Sequence, residues 1–399
     1  MSESRVSQRM ARLSPSMTFA MNQMSNDLKA KGIDVVNMSL GEPDFNTPEH
    51  VKAAACAALD ENYTHYTPVP GSLSLKEAII GKLQRENGLT YGPAEILVSN
   101  GAKQSLCNAV MALVDEGDEV IIPAPYWVSY PQMVLLAGGT PVHVDTGIDQ
   151  GFKMTPEQLE KAITPRTRML ILCSPSNPSG AVYSQEELEA LSEIILRHEG
   201  LLVLSDEIYE HLNYVGAHAS IASCKGMRER TILINGVSKA YAMTGWRLGF
   251  MAAPKWIVSA CGMLQGQYTS GPCSVSQKAA EAAWRGPQAC VEEMRQAFER
   301  RRNLLVGLLR GIPGLEVAVP EGAFYLFPKC SSFFGKTDGT RVIKTSTDLA
   351  MYLLEVGHVA TVGGDAFGAP DYFRLSNATT EEKIVEGAKR MAAALALLK

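Results

Sequence analysis

Lys239 follows an apolar run, Thr231–Asn235, and a short Gly236-Val237-Ser238 turn. A lysine at the mouth of a buried strand is partly stripped of water, which lowers its pKa and makes the neutral amine a nucleophile toward carbonyl carbon. Arg247 lies in Gly245-Trp246-Arg247-Leu248-Gly249, and its rigid fork suits a phosphate or a carboxylate. Asp206 ends another apolar run, Leu201–Ser205, so burial is expected and a cation or hydrogen-bond donors must accompany it. A protonated ring nitrogen would serve. Tyr209 follows closely enough to return to the same place and donate to a phenolate oxygen. Gly101-Ala102-Lys103 opens a helix, whose first N–H groups and dipole form an anion cradle. Taken singly, each has a plainer use: the lysine snorkels, the arginine joins a salt bridge, Asp206 caps a helix and Tyr209 fills a core.

These residues need a scaffold that gathers them. From about Glu95 to Ala253 short apolar runs alternate with helical patterns, the signature of βαβ units and a mainly parallel sheet. The spacing predicts strands at Ile96–Ser99, Glu119–Pro123, Pro141–Val144, Met169–Cys173, Leu201–Ser205, Thr231–Asn235 and Leu248–Ala252. Helices are expected at Ala102–Leu113, Pro156–Ile163 and Gln185–Arg197, the last opened by Ser184-x-x-Glu187. Ligands of an open parallel sheet collect outside the carboxyl ends of its strands, where each of the residues above falls. Beyond Ala289 the pattern becomes α+β. A charged helix over Glu292–Leu309 carries Arg300, Arg301 and Arg302, read as a solvated face. Strands follow near Leu315–Val319, Ala323–Phe327 and Tyr372–Leu375, with helices at Thr347–Val356 and from Glu381. The helix around Ser16–Lys31 and the strand Val35–Leu40 are expected to pack on this tail. The division is therefore an N-terminal segment 1–46, a large domain 47–290 and a small domain 291–399.

Composition narrows the class. The chain has 399 residues, 46% hydrophobic and 20% charged, with a formal net charge of −5. No extended basic run exists to hold a polyanion, so nucleic acid is not an expected partner. Eight cysteines contain no C-x-x-C pair and sit mostly among apolar neighbours, which argues for reduced core thiols and against a metal site or disulfides. Met1–Met10 is polar, without an apolar leader core, and no apolar run approaches the ~18 residues of a membrane span. A cytoplasmic protein without membrane contact is the expectation. No G-x-G-x-x-G occurs, and Cys330 stands where a phosphate loop at Gly335-Lys336-Thr337 would need glycine.

A carbonyl-reactive lysine, a buried acid, a phenol donor, an arginine and a helix-end cradle together describe a pocket for pyridoxal 5'-phosphate. Ser238-Lys239-Ala240-Tyr241-Ala242-Met243-Thr244-Gly245-Trp246-Arg247-Leu248-Gly249 resembles the cofactor-attachment segment of class I aminotransferases. Ser39-Leu40-Gly41-Glu42-Pro43-Asp44-Phe45, Tyr66-Thr67-Pro68, Pro125-Tyr126-Trp127-Val128-Ser129-Tyr130, Ser174-Pro175-Ser176-Asn177-Pro178, Asp206-Glu207-Ile208-Tyr209-Glu210 and Phe373-Arg374-Leu375-Ser376 resemble the family's other signatures, in order. The likeness runs from about Arg12 to the C-terminus. It is strongest to bacterial type Ib aspartate aminotransferases, some of which also accept prephenate.

The resemblance implies a fold-type-I pyridoxal-phosphate enzyme, a cytoplasmic homodimer with shared active sites. The large domain holds a mainly parallel seven-stranded sheet between helices, beside a smaller α+β domain. It implies that the amino group of L-aspartate passes to 2-oxoglutarate by ping-pong kinetics, giving oxaloacetate and L-glutamate, with the cofactor holding the group between halves. Lys239 would join the cofactor and serve as base at the substrate Cα, Asp206 would pair with the ring nitrogen, and Tyr209 and Asn177 with the ring oxygen. Trp127 would stack on the ring. Gly101, Ala102, Lys103, Ser238 and Arg247 would hold the phosphate, with Tyr66 reaching it from the other subunit. Arg374, Gly41 and Asn177 would bind the α-carboxylate. Many relatives place serine where this chain has Gly236, so one phosphate hydroxyl is expected to be missing or supplied by Ser238. For the second carboxylate of aspartate the candidates are Lys103, with Thr18 and Ser16 as hydroxyl donors.

Two other functions compete. An aromatic or neutral amino acid aminotransferase, or a lyase of the same fold, would share the cofactor contacts. A ligand-sensing regulator would need a DNA-binding appendage, for which the few residues before the resemblance leave no room.

Overall fold

A computed structural model describes residues 7–399; residues 1–6 of the N-terminal stretch read as leaderless, and of the expected 1–46 segment, lie outside it. Seven strands form one sheet in the spatial order Ile96–Ser99, Gly249–Ala252, Thr231–Gly236, Leu202–Asp206, Thr167–Cys173, Glu119–Ala124 and Thr140–Asp145. The last five run parallel to one another, and Gly249–Ala252 is antiparallel to both of its neighbours. The inner strands are apolar without alternation because both faces are covered, whereas the edge strand Thr140–Asp145 alternates and is partly exposed. Leu97 and Met251 enter the core on one face, while Ile96, Val98, Phe250 and Ala252 pack with Ile79 and Trp284 on the other. Helices Ala102–Leu113 and Gln185–Arg197 span the expected residues, and Ser184 caps the second by accepting from the Glu187 N–H.

A separate core joins Val36, Met38, Leu305, Leu326, Leu353, Phe373 and Met391. It lies among helices Ala289–Arg310, Ser346–Glu355 and Glu381–Leu395 and a three-stranded sheet of Val362–Gly363, Phe373–Ser376 and Tyr325–Leu326. Val36–Asn37 pairs in parallel with Val359–Ala360.

Several expectations give way here. Val35–Leu40 shortens to Val36–Asn37, because the Asn37 side chain accepts from Ser39 N at 3.0 Å and Ser39 Oγ at 2.7 Å and turns the chain. Ala323–Phe327 shortens to Tyr325–Leu326, since Ala323 adopts φ +57° and leaves the extended region. Leu315–Val319 makes only one bridge, Glu316 to Lys329. Of the arginine run only Arg300 is exposed as a solvated face requires. Arg302 is buried and donates to Pro320 O at 2.6 Å, and Arg301 pairs with Asp44 at 2.7 Å with its guanidinium over Phe45 and Phe298. All eight cysteines are reduced, but Cys56 and Cys273 are exposed rather than in a core. Among the described residues no helix is long and apolar enough to cross a membrane.

Candidate active site

A cleft of about 570 Å³ opens at the carboxyl ends of the parallel strands and reaches the C-terminal sheet. Lys239, just past Thr231–Gly236, is partly buried there and donates through Nζ to Gly41 O at 2.6 Å. Burial lowers its pKa to about 8, and the cations Arg247 and Arg374 act in the same direction. Near neutrality the amine is thus far closer to its nucleophilic form than an exposed lysine.

Asp206, the last residue of its strand, is 4% exposed. Burial raises its carboxyl to about 6, against which Tyr130 Oη donates at 2.7 Å and Ile208 N at 3.3 Å. The turn that follows is pinned by two buried acids. Glu207 accepts from Ser205 at 2.9 Å and Ser220 at 2.6 Å and meets His218 at 2.9 Å. Glu210 accepts from Lys82, from Asn87 at 2.9 Å and from Asn235 at 2.8 Å. Tyr209, on that turn, shares a 2.8 Å hydroxyl contact with Tyr325, and burial pushes its phenol well above the usual value.

Arg374 is 1% exposed, and among the described residues no carboxylate pairs with it. It donates to Asn177 Oδ1 at 2.9 Å and Ser39 O at 2.6 Å, while Nε is buried without a partner. Tyr325 and Phe367 flank its guanidinium at 4.6 and 4.9 Å. One short loop, Ser39 to Gly41, therefore touches both this arginine and Lys239. A buried guanidinium without an anion is costly unless a ligand supplies one.

Close backbone approach builds the cradle. Gly101 has φ +83°, and a Cβ there would lie 2.6 Å from Arg247 Nη2; one on Gly249 would lie 2.2 Å from Ala102 N. Arg247 itself takes φ +53° and donates to Thr244 O at 3.1 Å and Asn100 O at 3.4 Å. At the start of the helix from Ala102, Gln104 N donates to Gly101 O at 3.0 Å, which leaves the N–H groups of Ala102 and Lys103 to face the cradle. At Gly236 a Cβ would sit 2.8 Å from Gly249 Cα, so serine has no room and Ser238, buried alongside, is the hydroxyl at hand.

Trp127 and Tyr130 pack nearly perpendicular with centroids 5.4 Å apart, and Lys103 Nζ stands 4.9 Å from the Trp127 ring centroid and 6.0 Å from that of Phe19. Ser16 and Thr18 line the same cleft, and Thr18 Oγ1 is buried with no partner. Tyr66 is wholly exposed and does not line the cleft of its own chain. Sequence reasoning assigned no role to Tyr130 or Tyr325, although Tyr130 closes the Pro125–Tyr130 motif. Its partner is 76 positions away, and a tyrosine in an apolar helix reads as core.

The residues present fit pyridoxal 5'-phosphate. A near-neutral amine, a buried carboxylate for a ring nitrogen, and a glycine-lined cradle beside Arg247 answer its aldehyde, ring and phosphate. Arg374 with its unpartnered Nε remains for a substrate carboxylate.

Comparison with known proteins agrees with this chemistry. The family model described as aminotransferase class I and II matches residues 33–391. An aspartate/prephenate aminotransferase of Nitrosomonas europaea is 48% identical over 98% of this chain and 100% of its own length. An aspartate aminotransferase of Geobacillus stearothermophilus is 50% identical over 97% of this chain and 98% of its own. The structure of the Rhizobium meliloti aspartate aminotransferase superimposes with a TM-score of 0.96 at 46% identity, covering 100% of both chains. That of the Thermus thermophilus aspartate aminotransferase with maleate gives 0.91 at 42% identity, covering 98% of this chain and 100% of that one.

Proposed function

This chain belongs to the class I and II aminotransferase family, and on that premise we propose that it moves the amino group of L-aspartate to 2-oxoglutarate with pyridoxal 5'-phosphate as cofactor. Oxaloacetate leaves before 2-oxoglutarate enters, and L-glutamate is the second product. The observation that carries this is Arg374, a buried guanidinium with no carboxylate partner among the described residues, bridged to Lys239 through the Ser39–Gly41 loop.

When bound, the cofactor supplies an aldehyde to join the amino group and a protonated ring to accept an electron pair. The protein's work is to bind, orient and move a proton. Arg374 and Asn177 hold the α-carboxylate, which sets the Cα proton toward Lys239. Lys239 Nζ, with a pKa near 8, takes that proton as base and returns it as acid. Asp206 stays ionised beside a ring N–H⁺ because the added cation opposes the burial that raises it. Arg247, Ser238 and the amides of Gly101, Ala102 and Lys103 take the phosphate, Tyr209 and Asn177 the ring oxygen, and Trp127 the ring face.

The second carboxylate of aspartate is met by Lys103, with Thr18 and Ser16 adding hydroxyls. Support comes from their shared place on the cleft wall and from the maleate, a dicarboxylate, bound to the Thermus relative. Prephenate is a further amino acceptor, supported by the apolar cleft wall of Phe19, Leu106 and Val128. The large domain spans 47–290 and the small one 291–399; helix Met17–Ala30 and strand Val36–Asn37 pack on the latter, whereas Gln8–Arg12 lies against Ser129–Ala137 of the large domain, where Ser14 N donates to Gln132 at 2.9 Å, so the expected 1–46 segment does not pack as one piece. The enzyme works as a homodimer in the cytoplasm. Tyr66, wholly exposed in one chain, completes the partner's phosphate site.

Half-reactions with a panel of amino acids test the function. Aspartate and glutamate are expected to discharge the absorbance of bound cofactor, with phenylalanine slower. Release of ammonia or pyruvate without a 2-oxo acid acceptor would mean a lyase instead.

A further inference from the structure

Gln265 lies in the last turn of helix Lys255–Tyr268, is 0% exposed, and spends every hydrogen-bonding position of its amide on four different partners. Its Oε1 accepts from Ser99 Oγ at 2.7 Å and Asn108 Nδ2 at 3.0 Å. Its Nε2 donates to Val98 O at 2.9 Å and Val69 O at 3.0 Å. Ser99 is the last residue before the Asn100–Lys103 loop, and Asn108 belongs to the helix that this loop opens. Val69 belongs to the segment carrying Tyr66, whose other side is held by the buried Gln277 through Ser72 N at 2.9 Å and Thr67 Oγ1 at 2.8 Å.

We propose that Gln265 is a positioning residue for the phosphate cradle, fixing both the Asn100–Lys103 loop and the Tyr66 segment to one helix. The inference rests on the reading of that loop as the seat of the cofactor phosphate. A core glutamine that merely fills space could be replaced by an apolar side chain of like shape, but this one hydrogen-bonds both segments, adding to the single backbone bond from Val98 N to Pro70 O at 3.1 Å. Preorganised donors bind without paying to be ordered, and loosening them weakens only the ligand group they hold.

The test compares a cofactor with and without the phosphate. The full-length chain, stripped of cofactor, is titrated with pyridoxal 5'-phosphate and with pyridoxal, following the absorbance of the bound form. Gln265→Met keeps the shape and removes all four bonds; Gln265→Glu keeps the acceptor and removes the donors. Both are expected to weaken pyridoxal 5'-phosphate by about 10-fold and pyridoxal by less than about 2-fold, so that the preference for the phosphate falls. Equal losses for the two ligands, or no loss, would overturn the assignment. If neither variant gives the circular dichroism of the folded chain, Ser99→Ala decides: a reduced preference supports the proposal and an unchanged one overturns it. A wild-type chain without any preference for the phosphate-bearing form would overturn the cradle itself, which is a different failure.

Discussion

Tyr130 donates its hydroxyl to Asp206 across 2.7 Å in the nearly buried wall of the cleft, and its ring stands roughly perpendicular to Trp127 with centroids 5.4 Å apart. One side chain thus steadies the acid beneath the proposed ring site and the aromatic above it. Burial alone would drive Asp206 toward its neutral form, and the phenol opposes that drift.

Tyr130→Phe removes a donor that lowers the Asp206 pKa, so the carboxyl should rise further above about 6. The acid limb of the kcat profile should move to higher pH, and kcat at pH 7 should fall by about 5- to 10-fold, with a smaller loss at higher pH. A kcat profile that drops evenly at all pH values would mean that Tyr130 serves packing alone.

Arg374→Lys keeps a charge but loses the fork. We expect kcat/KM for aspartate to fall by about 100-fold, with the affinity for pyridoxal 5'-phosphate unchanged, as measured by steady-state kinetics and absorbance titration. A matching loss of cofactor would place the arginine elsewhere in the site.

Lys103→Ala should separate donors. If its ammonium meets the second carboxylate, kcat/KM for aspartate falls by about 10- to 150-fold while phenylalanine is nearly unaffected. Equal losses for both would assign Lys103 to the cofactor phosphate or to its present place over Trp127.

Much of the scaffold is legible because its strands are buried on both faces. Thr231–Gly236 and Ala102–Leu113 are bounded by turn residues and caps that local chemistry explains. Asp206 and Lys239 announce themselves as charges at the ends of apolar runs, whereas Arg374 is reached only through the family resemblance of Phe373–Ser376. What escapes is what depends on distant partners. Tyr130 and Gln265 owe their roles to atoms far along the chain, and nothing in their neighbourhoods distinguishes them from core. Arg301 and Arg302 read as a solvated face because the sequence does not show that Asp44, Phe45 and Pro320 fold over them. The short C-terminal strands are overextended in the sequence pattern, since a positive φ at Ala323 leaves no local signature in an alanine.

The proposed assembly predicts a dimer by light scattering at working concentrations, with Tyr66→Phe weakening pyridoxal 5'-phosphate by about 5- to 10-fold for the loss of one hydroxyl. A fully active monomer would contradict it.

The central claim is that Lys239, made reactive by burial at the end of its strand, is the residue that joins the cofactor. Borohydride reduction of the chain loaded with pyridoxal 5'-phosphate, followed by peptide mass mapping, tests this directly. We expect one pyridoxyl group per chain, on Lys239, and none after Lys239→Ala. A label on another lysine, or an unlabelled Lys239 in a chain that still turns over aspartate, would contradict it.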